Sequence, residues 1–189
     1  MRSGYGSGPT ICVTMKKTEL QERLKSNHCS FTDFLRNLSD IIANHSMPGK
    51  WTPIQQLSHI EKSVAPVKLA FSLPKFALSL LFGKANRPSR TYDELILNYK
   101  ARLDAGGKST TRFLPDTTCD RIKLQDAVDR HVTRLSEKLD RFTENELDQF
   151  ILPHPLLGKL TLREMLYFTI YHVEHHHSQI NPALRKSVA

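Results

Sequence analysis

The segment Thr161–Ile180 constrains this chain more than any other, because it reads as one amphipathic helix from end to end. Thr161 stands where an N-cap would, and Glu164 follows three residues on, the spacing of a reciprocal capping box. Pro155 and Gly158 punctuate the chain before it, and Pro182 stops it soon after Ile180. At about 100° per residue, Leu162, Met165, Leu166, Thr169, Ile170, Val173 and Ile180 share one broad face. A face that wide must be buried against other elements, so the rest of the chain has to supply partners for it.

The same helix carries Tyr171-His172-Val173-Glu174-His175-His176-His177-Ser178-Gln179, which holds four of the nine histidines. His172 and His176 are i and i+4, so their rings stand one turn apart and point the same way, on the Met165/Thr169 side of the apolar face. His175 points away from that face, toward solvent, and His177 lies near its opposite edge beside Leu166 and Ile170. Two neutral imidazoles one turn apart can hold one divalent ion such as Zn, Ni, Fe or Cu, with at least one further ligand from elsewhere. A His-rich helix end can equally be a polar terminus that offsets the macrodipole. Spacing alone leaves both readings open. The run is not a metalloprotease box, which needs Glu directly after the first His, where this chain has Val173. Protonated imidazole cannot ligate, so a His site here is expected to empty below about pH 6.

Other segments repeat the helical period. Thr18 to about Asn44 reads as a long helix with an interruption near Asn27–Ser30. Trp51-Thr52-Pro53-Ile54 is a strong helix start, with Thr52 as N-cap and Pro53 at the first helical position. That helix carries Ile54, Leu57, Ile60 and Val64 on one stripe, and Pro66 is expected to bend or end it. His59 lies off the centre of the stripe, nearer Gln56 and Ser63, and taken alone reads as an exposed or hydrogen-bonded residue. Residues 66–83 are apolar packing material around a break at Pro74, suited to a pocket mouth or a subunit contact, which leaves a homodimer open. Tyr92–Leu103 is a short helix. Ala105–Thr118 reads as a loop: Ala105-Gly106-Gly107-Lys108-Ser109-Thr110 lacks the first glycine of a phosphate loop and no strand precedes it. Cys119–Phe142 is another long helix, and Thr143 with Glu146 forms a second capping box. Ile151–Leu160 is a connector. No stretch shows sustained strand alternation, so the expected fold is all-α without a sheet, a four-helix bundle with additional short helices.

Residues 1–14 are rich in Gly and Ser and read as a flexible tail, with a single domain over 15–189. Met15-Lys16-Lys17 looks like an ordinary translation start, which would make the preceding residues a dispensable extension. No apolar run follows Arg2, so no secretory leader is expected, and no run of about 18 apolar residues exists, so no membrane span is expected. Three cysteines without a CxxC pair fit a reducing, cytoplasmic setting. The formal charge of +8 raises the question of nucleic acid as a partner. The basic residues are dispersed and no recognition motif accompanies them, so specific nucleic-acid binding is not expected.

Three stretches, in order, resemble the DinB-like (YfiT-like) superfamily of metal-dependent enzymes. They are Trp51-Thr52-Pro53-Ile54-Gln55-Gln56-Leu57-Ser58-His59-Ile60, then His154-Pro155-Leu156-Leu157-Gly158-Lys159-Leu160-Thr161, then His172-xxx-His176 followed by Gln179-Ile180. The resemblance spans roughly Met15 to Asn181. It implies a four-helix bundle and a divalent metal ion held by His59, His172 and His176, while His175 and His177 match no ligand position. It further implies a small-molecule substrate and either metal-dependent hydrolysis or S-transfer or isomerisation with a low-molecular-weight thiol as cosubstrate. The apolar region 66–90 departs from the family's pattern. No catalytic base stands out: Glu174 points off the metal face, and Gln179 is placed to cap the helix end or orient a ligand. Against the enzyme stand a non-catalytic bundle whose site is structural or vacant, and a basic protein acting on nucleic acid.

Overall fold

The structure is a computed structural model and describes residues 14–45 and 48–180. Residues 1–13, on which most of the expected N-terminal tail falls, lie outside the described residues.

Four long helices form the bundle: α1 (Lys17–Arg36), α3 (Pro53–Ala70), α6 (Arg121–Lys138) and α8 (Leu162–Gln179). Shorter helices are α2 (Asp40–Ala43), α4 (Lys75–Phe82), α5 (Tyr92–Asp104) and α7 (Glu144–Gln149). α3 packs on α6, α1 lies against both α6 and α8, and α5 covers a further side of α8. Their apolar stripes meet in one core, where Leu24, Leu57, Val128, Leu166 and Ile170 have no exposed surface. No single helix among the described residues is long and apolar enough to cross a membrane.

The helix boundaries follow local chemistry. Expected breaks near Asn27–Ser30 and at Pro66 do not occur. α1 runs on to Arg36 because Leu24, His28, Phe31 and Leu35 keep its buried face unbroken. The interruption comes at Asn37–Ser39, where the Ser39 hydroxyl starts α2 by accepting the Ile42 N–H. Pro66 lies inside α3, which continues four residues past it to Ala70. Its ring stands on the wall of a cavity, and one lost backbone bond does not end a helix whose opposite face is packed.

The start of α3 is fixed as its sequence requires. The Thr52 hydroxyl accepts the Gln55 N–H at 3.1 Å, and the Gln55 Oε1 accepts the Thr52 N–H at 2.9 Å. Thr52→Ala is expected to lower stability by about 0.5–2 kcal/mol. Chemical denaturation checks this: the midpoint falls at an unchanged slope.

The connector and the expected absence of a sheet are also corrected. Residues 151–161 are a β-hairpin rather than a bare connector, with β1 (Ile151–His154) antiparallel to β2 (Gly158–Thr161). Four-residue strands containing Pro153 are too short to show alternation, and Pro153 is tolerated because the two-stranded ribbon has free edges. Gly158, at φ +75°, supplies the left-handed residue that the turn needs. Thr161 ends β2 and caps α8, so the hairpin sets where α8 begins.

That beginning is locked by two buried charges. Arg163, 2% exposed, donates to Asp148, to Glu144 and to the Met15 carbonyl. Glu164, with no exposed surface, closes the capping box through the Thr161 N–H at 2.9 Å and takes both Arg87 amino groups at 2.7 and 2.8 Å. α8 is therefore held in register against the bundle two to three turns before its histidines.

Candidate metal centre

His59 projects from α3 and His172 and His176 from α8, where the two helices pack together, and each is 5% exposed. The Nε2 of His172 lies 3.1 Å from the Nε2 of His59 and 3.1 Å from that of His176. One ring nitrogen from each of the three lies within 4.8 Å of the others. His59 sits off its helix's main stripe, as the wheel geometry requires, yet is buried, because α8 closes over that second face of α3.

The far side of two rings decides their tautomers. The Nδ1–H of His59 donates to the Phe113 carbonyl at 2.6 Å, and that of His176 donates to the Gln56 Oε1 at 3.2 Å. Carbonyl oxygens only accept, so both Nε2 atoms carry lone pairs aimed at the centre. His172 can offer its Nε2 at most one proton, so at most one of the two 3.1 Å contacts is a hydrogen bond. A cation satisfies all three nitrogens at once. Imidazole nitrogens ~2.1 Å from one ion stand ~3.0 Å apart at a right angle and ~3.4 Å apart at the tetrahedral angle, which brackets the observed spacing. The donor set therefore fits a divalent ion.

Aromatic neighbours fix the rings. Trp51 lies 4.9 Å from the His59 ring and stacks on His176 at 6.0 Å, and Phe168 stacks on His172 at 4.7 Å. Burial pushes His172 and His176 well below the ordinary histidine value, and their neighbouring imidazoles push the same way. Burial lowers His59 too, against the opposing pull of the Phe113 carbonyl. Depressed values keep the lone pairs available in more acid solution, so the loss of ligation expected near pH 6 moves lower.

His175 and His177 stay outside the cluster. The His177 ring packs on Phe31 and Phe34, across α8 from the centre. His175 does not face open solvent as the wheel alone implied. Tyr99 of α5 covers that side, and His175 lines the cavity there, its Nε2 accepting from Gln179 at 2.7 Å. Gln179 thus bonds a side chain rather than capping the helix end. Glu174 turns away and accepts from Asn27.

A cavity of about 820 Å³ opens on the three histidines. His154, at the end of β1, lines it. The His154 Nδ1 accepts the backbone N–H groups of Leu156 and Leu157 at 3.2 and 3.0 Å, so the neutral ring holds its proton on Nε2. Burial lowers His154 to about 4, which keeps it neutral. Gln56, the Phe113 carbonyl and Tyr99 were not singled out from the sequence. Gln56 was traceable as the polar residue three before His59, whereas a loop carbonyl leaves no side-chain signal.

A buried histidine outside the cluster gives a stability prediction. His28 is enclosed in the bundle, its Nδ1–H donating to the Leu24 carbonyl at 2.7 Å, and burial lowers it to about 4. The unfolded chain binds the proton more readily, so stability is lost as pH falls from about 6.5 to about 4 and levels off below. His28→Leu is expected to flatten that decline by on the order of 3 kcal/mol, read from urea denaturation of the metal-free protein across the window.

The sequence model of the DinB superfamily matches residues 23–180. No curated protein matches the chain. Among solved structures, YfiT from Bacillus subtilis, described as a probable metal-dependent hydrolase with an unusual four-helix bundle topology, superposes with a TM-score of 0.62. The two chains are 19% identical, and the match covers 97% of this one and 93% of that one. The family model spans most of the chain and the structural match shares its fold: this chain belongs to the DinB superfamily.

Proposed function

We propose that the protein is a metal-dependent hydrolase whose divalent ion is held by His59, His172 and His176. The observation that carries this is the convergence of three Nε2 atoms at the wall of a large cavity. Three protein ligands leave coordination positions open, whereas a structural site closes with four. Bound there, the ion would supply Lewis acidity for water and for a substrate carbonyl; no Asp or Glu among the described residues lines the cavity.

The chain's own residues orient and enclose. Gln56 and the Phe113 carbonyl fix the His176 and His59 rings through their Nδ1–H groups, the outer bonds that hold ligand imidazoles in place. Trp51 and Phe168 shield two sides of the centre from water. The His154 Nε2–H, one ring beyond Phe168 from His172, is placed to donate to a substrate oxygen.

The test is turnover of a panel of aryl esters and amides by protein stripped with chelator and reloaded with Zn, Ni or Fe(II). Metal-dependent hydrolysis without added thiol is expected. Turnover that requires a low-molecular-weight thiol would instead assign S-transfer, and stoichiometric metal without any turnover would favour a structural site.

A further inference from the structure

The cavity is polar at one end and apolar at the other. His59, Ser63, Val67 and Ala70 form a single stripe along α3, and at ~1.5 Å per residue this stripe runs ~16 Å from the histidines. α8 runs the opposite way along the facing wall, from Met165 through Phe168 to His172 and His176. Beyond Ala70 the lining continues with Leu73, Phe82 and Leu152. A slot of that length, apolar beyond the histidine end, matches an extended apolar body rather than a compact polar metabolite.

The charge on the wall has one sign. The chain has 19 carboxylates, yet none of those in the described residues lines the cavity, while Lys50, Lys108 and Arg112 do. All three are exposed at the cavity's edge, and none forms an ion pair among the described residues. Two of them belong to the histidine end. Lys50 precedes Trp51, whose ring packs on His59 and His176, and Arg112 precedes Phe113, whose carbonyl holds His59. The wall thus carries cations without an ion-pair partner at its edge, two of them next in sequence to residues that touch the histidines, and mostly hydrocarbon along α3.

We infer that the cavity takes an elongated apolar molecule headed by a carboxylate or similar oxyanion, with the head at the His59–His172–His176 end and the tail along α3 toward Leu73 and Phe82. Lys50 and Arg112 attract the head. The His154 Nε2–H gives an oxygen a fixed neutral donor along the way. This reading deepens the hydrolase proposal by naming its substrate class, but it stands on the cavity wall and holds without an ion.

The experiment uses metal-free protein, so that failure here and failure to bind metal are separate results. Trp51 is the sole tryptophan and lines the cavity, so its emission reports occupancy. Dodecanoate below its micelle concentration is expected to change that emission saturably, hexanoate to bind at least about tenfold more weakly, and dodecyltrimethylammonium to give no saturable change. Lys50→Glu combined with Arg112→Glu is expected to weaken both carboxylates about tenfold or more. Ala70→Phe, which fills the distal slot, is expected to weaken dodecanoate and spare hexanoate, with circular dichroism showing the fold kept. Equal binding of the cationic amphiphile, no binding of dodecanoate, or indifference of dodecanoate to both variants would overturn the assignment.

Discussion

Replacing Glu164 with alanine is expected to cost about 3–5 kcal/mol of stability, the range for removing one partner of a buried ion pair. Burial alone would push this carboxyl up, but the bonds from Arg87 and from the Arg90 and Thr161 N–H groups outweigh it and hold it below the usual carboxylate range. Alanine leaves the Arg87 guanidinium without that anion and strips the capping box of its acceptor. Glu164→Gln keeps an acceptor for the cap without the charge and should fall between alanine and wild type. Urea denaturation measures both, and a loss under about 1 kcal/mol for alanine would mean that desolvation offsets the pair almost entirely.

The second large effect concerns the metal. His59→Ala, His172→Ala and His176→Ala are each expected to abolish one-to-one binding of a divalent ion, because two imidazoles do not make up the missing ligand. His175→Ala and His177→Ala are expected to leave binding nearly intact, since one ring is tied to Gln179 and the other packs on Phe31 and Phe34. Gln56→Leu should weaken affinity by roughly 10–100-fold, the usual effect of losing a ligand's outer hydrogen bond. Calorimetric titration of untagged, metal-free protein reads all six. Loss of binding in His175→Ala with retention in His59→Ala would identify a local chelating run on α8 instead.

The bundle and two of the three clustered histidines were legible in the sequence. The N-cap at Thr52 and the capping boxes at Thr143 and Thr161 appear in the structure as read, because a cap is a local bond between residues three apart. The pairing of His172 with His176 was legible for the same reason. His59 was not legible from spacing, since its burial depends on which face α8 covers, and only the likeness of the Trp51–Ile60 stretch to a family pointed to it. The hairpin at 151–161 was hidden because its strands are four residues long and its register is set by Gly158 and by the His154 ring bonding Leu156 and Leu157. The orientation of His175 was misjudged because the wheel knows nothing of Tyr99, which arrives from α5. Long-range packing decided His59 and His175, whereas the hairpin is a local structure too short to show its period.

Three histidines from two helices sharing one ion is a geometry that diffraction can see. Anomalous diffraction at the absorption edge of the loaded metal, on crystals of untagged protein, tests it most directly. One strong peak per chain is expected, bonded to the Nε2 atoms of His59, His172 and His176 at about 2.0–2.2 Å if the metal is zinc. A peak bound by His175 or His177 with the three Nε2 atoms bare, or no peak from protein that has been given the metal, would contradict it.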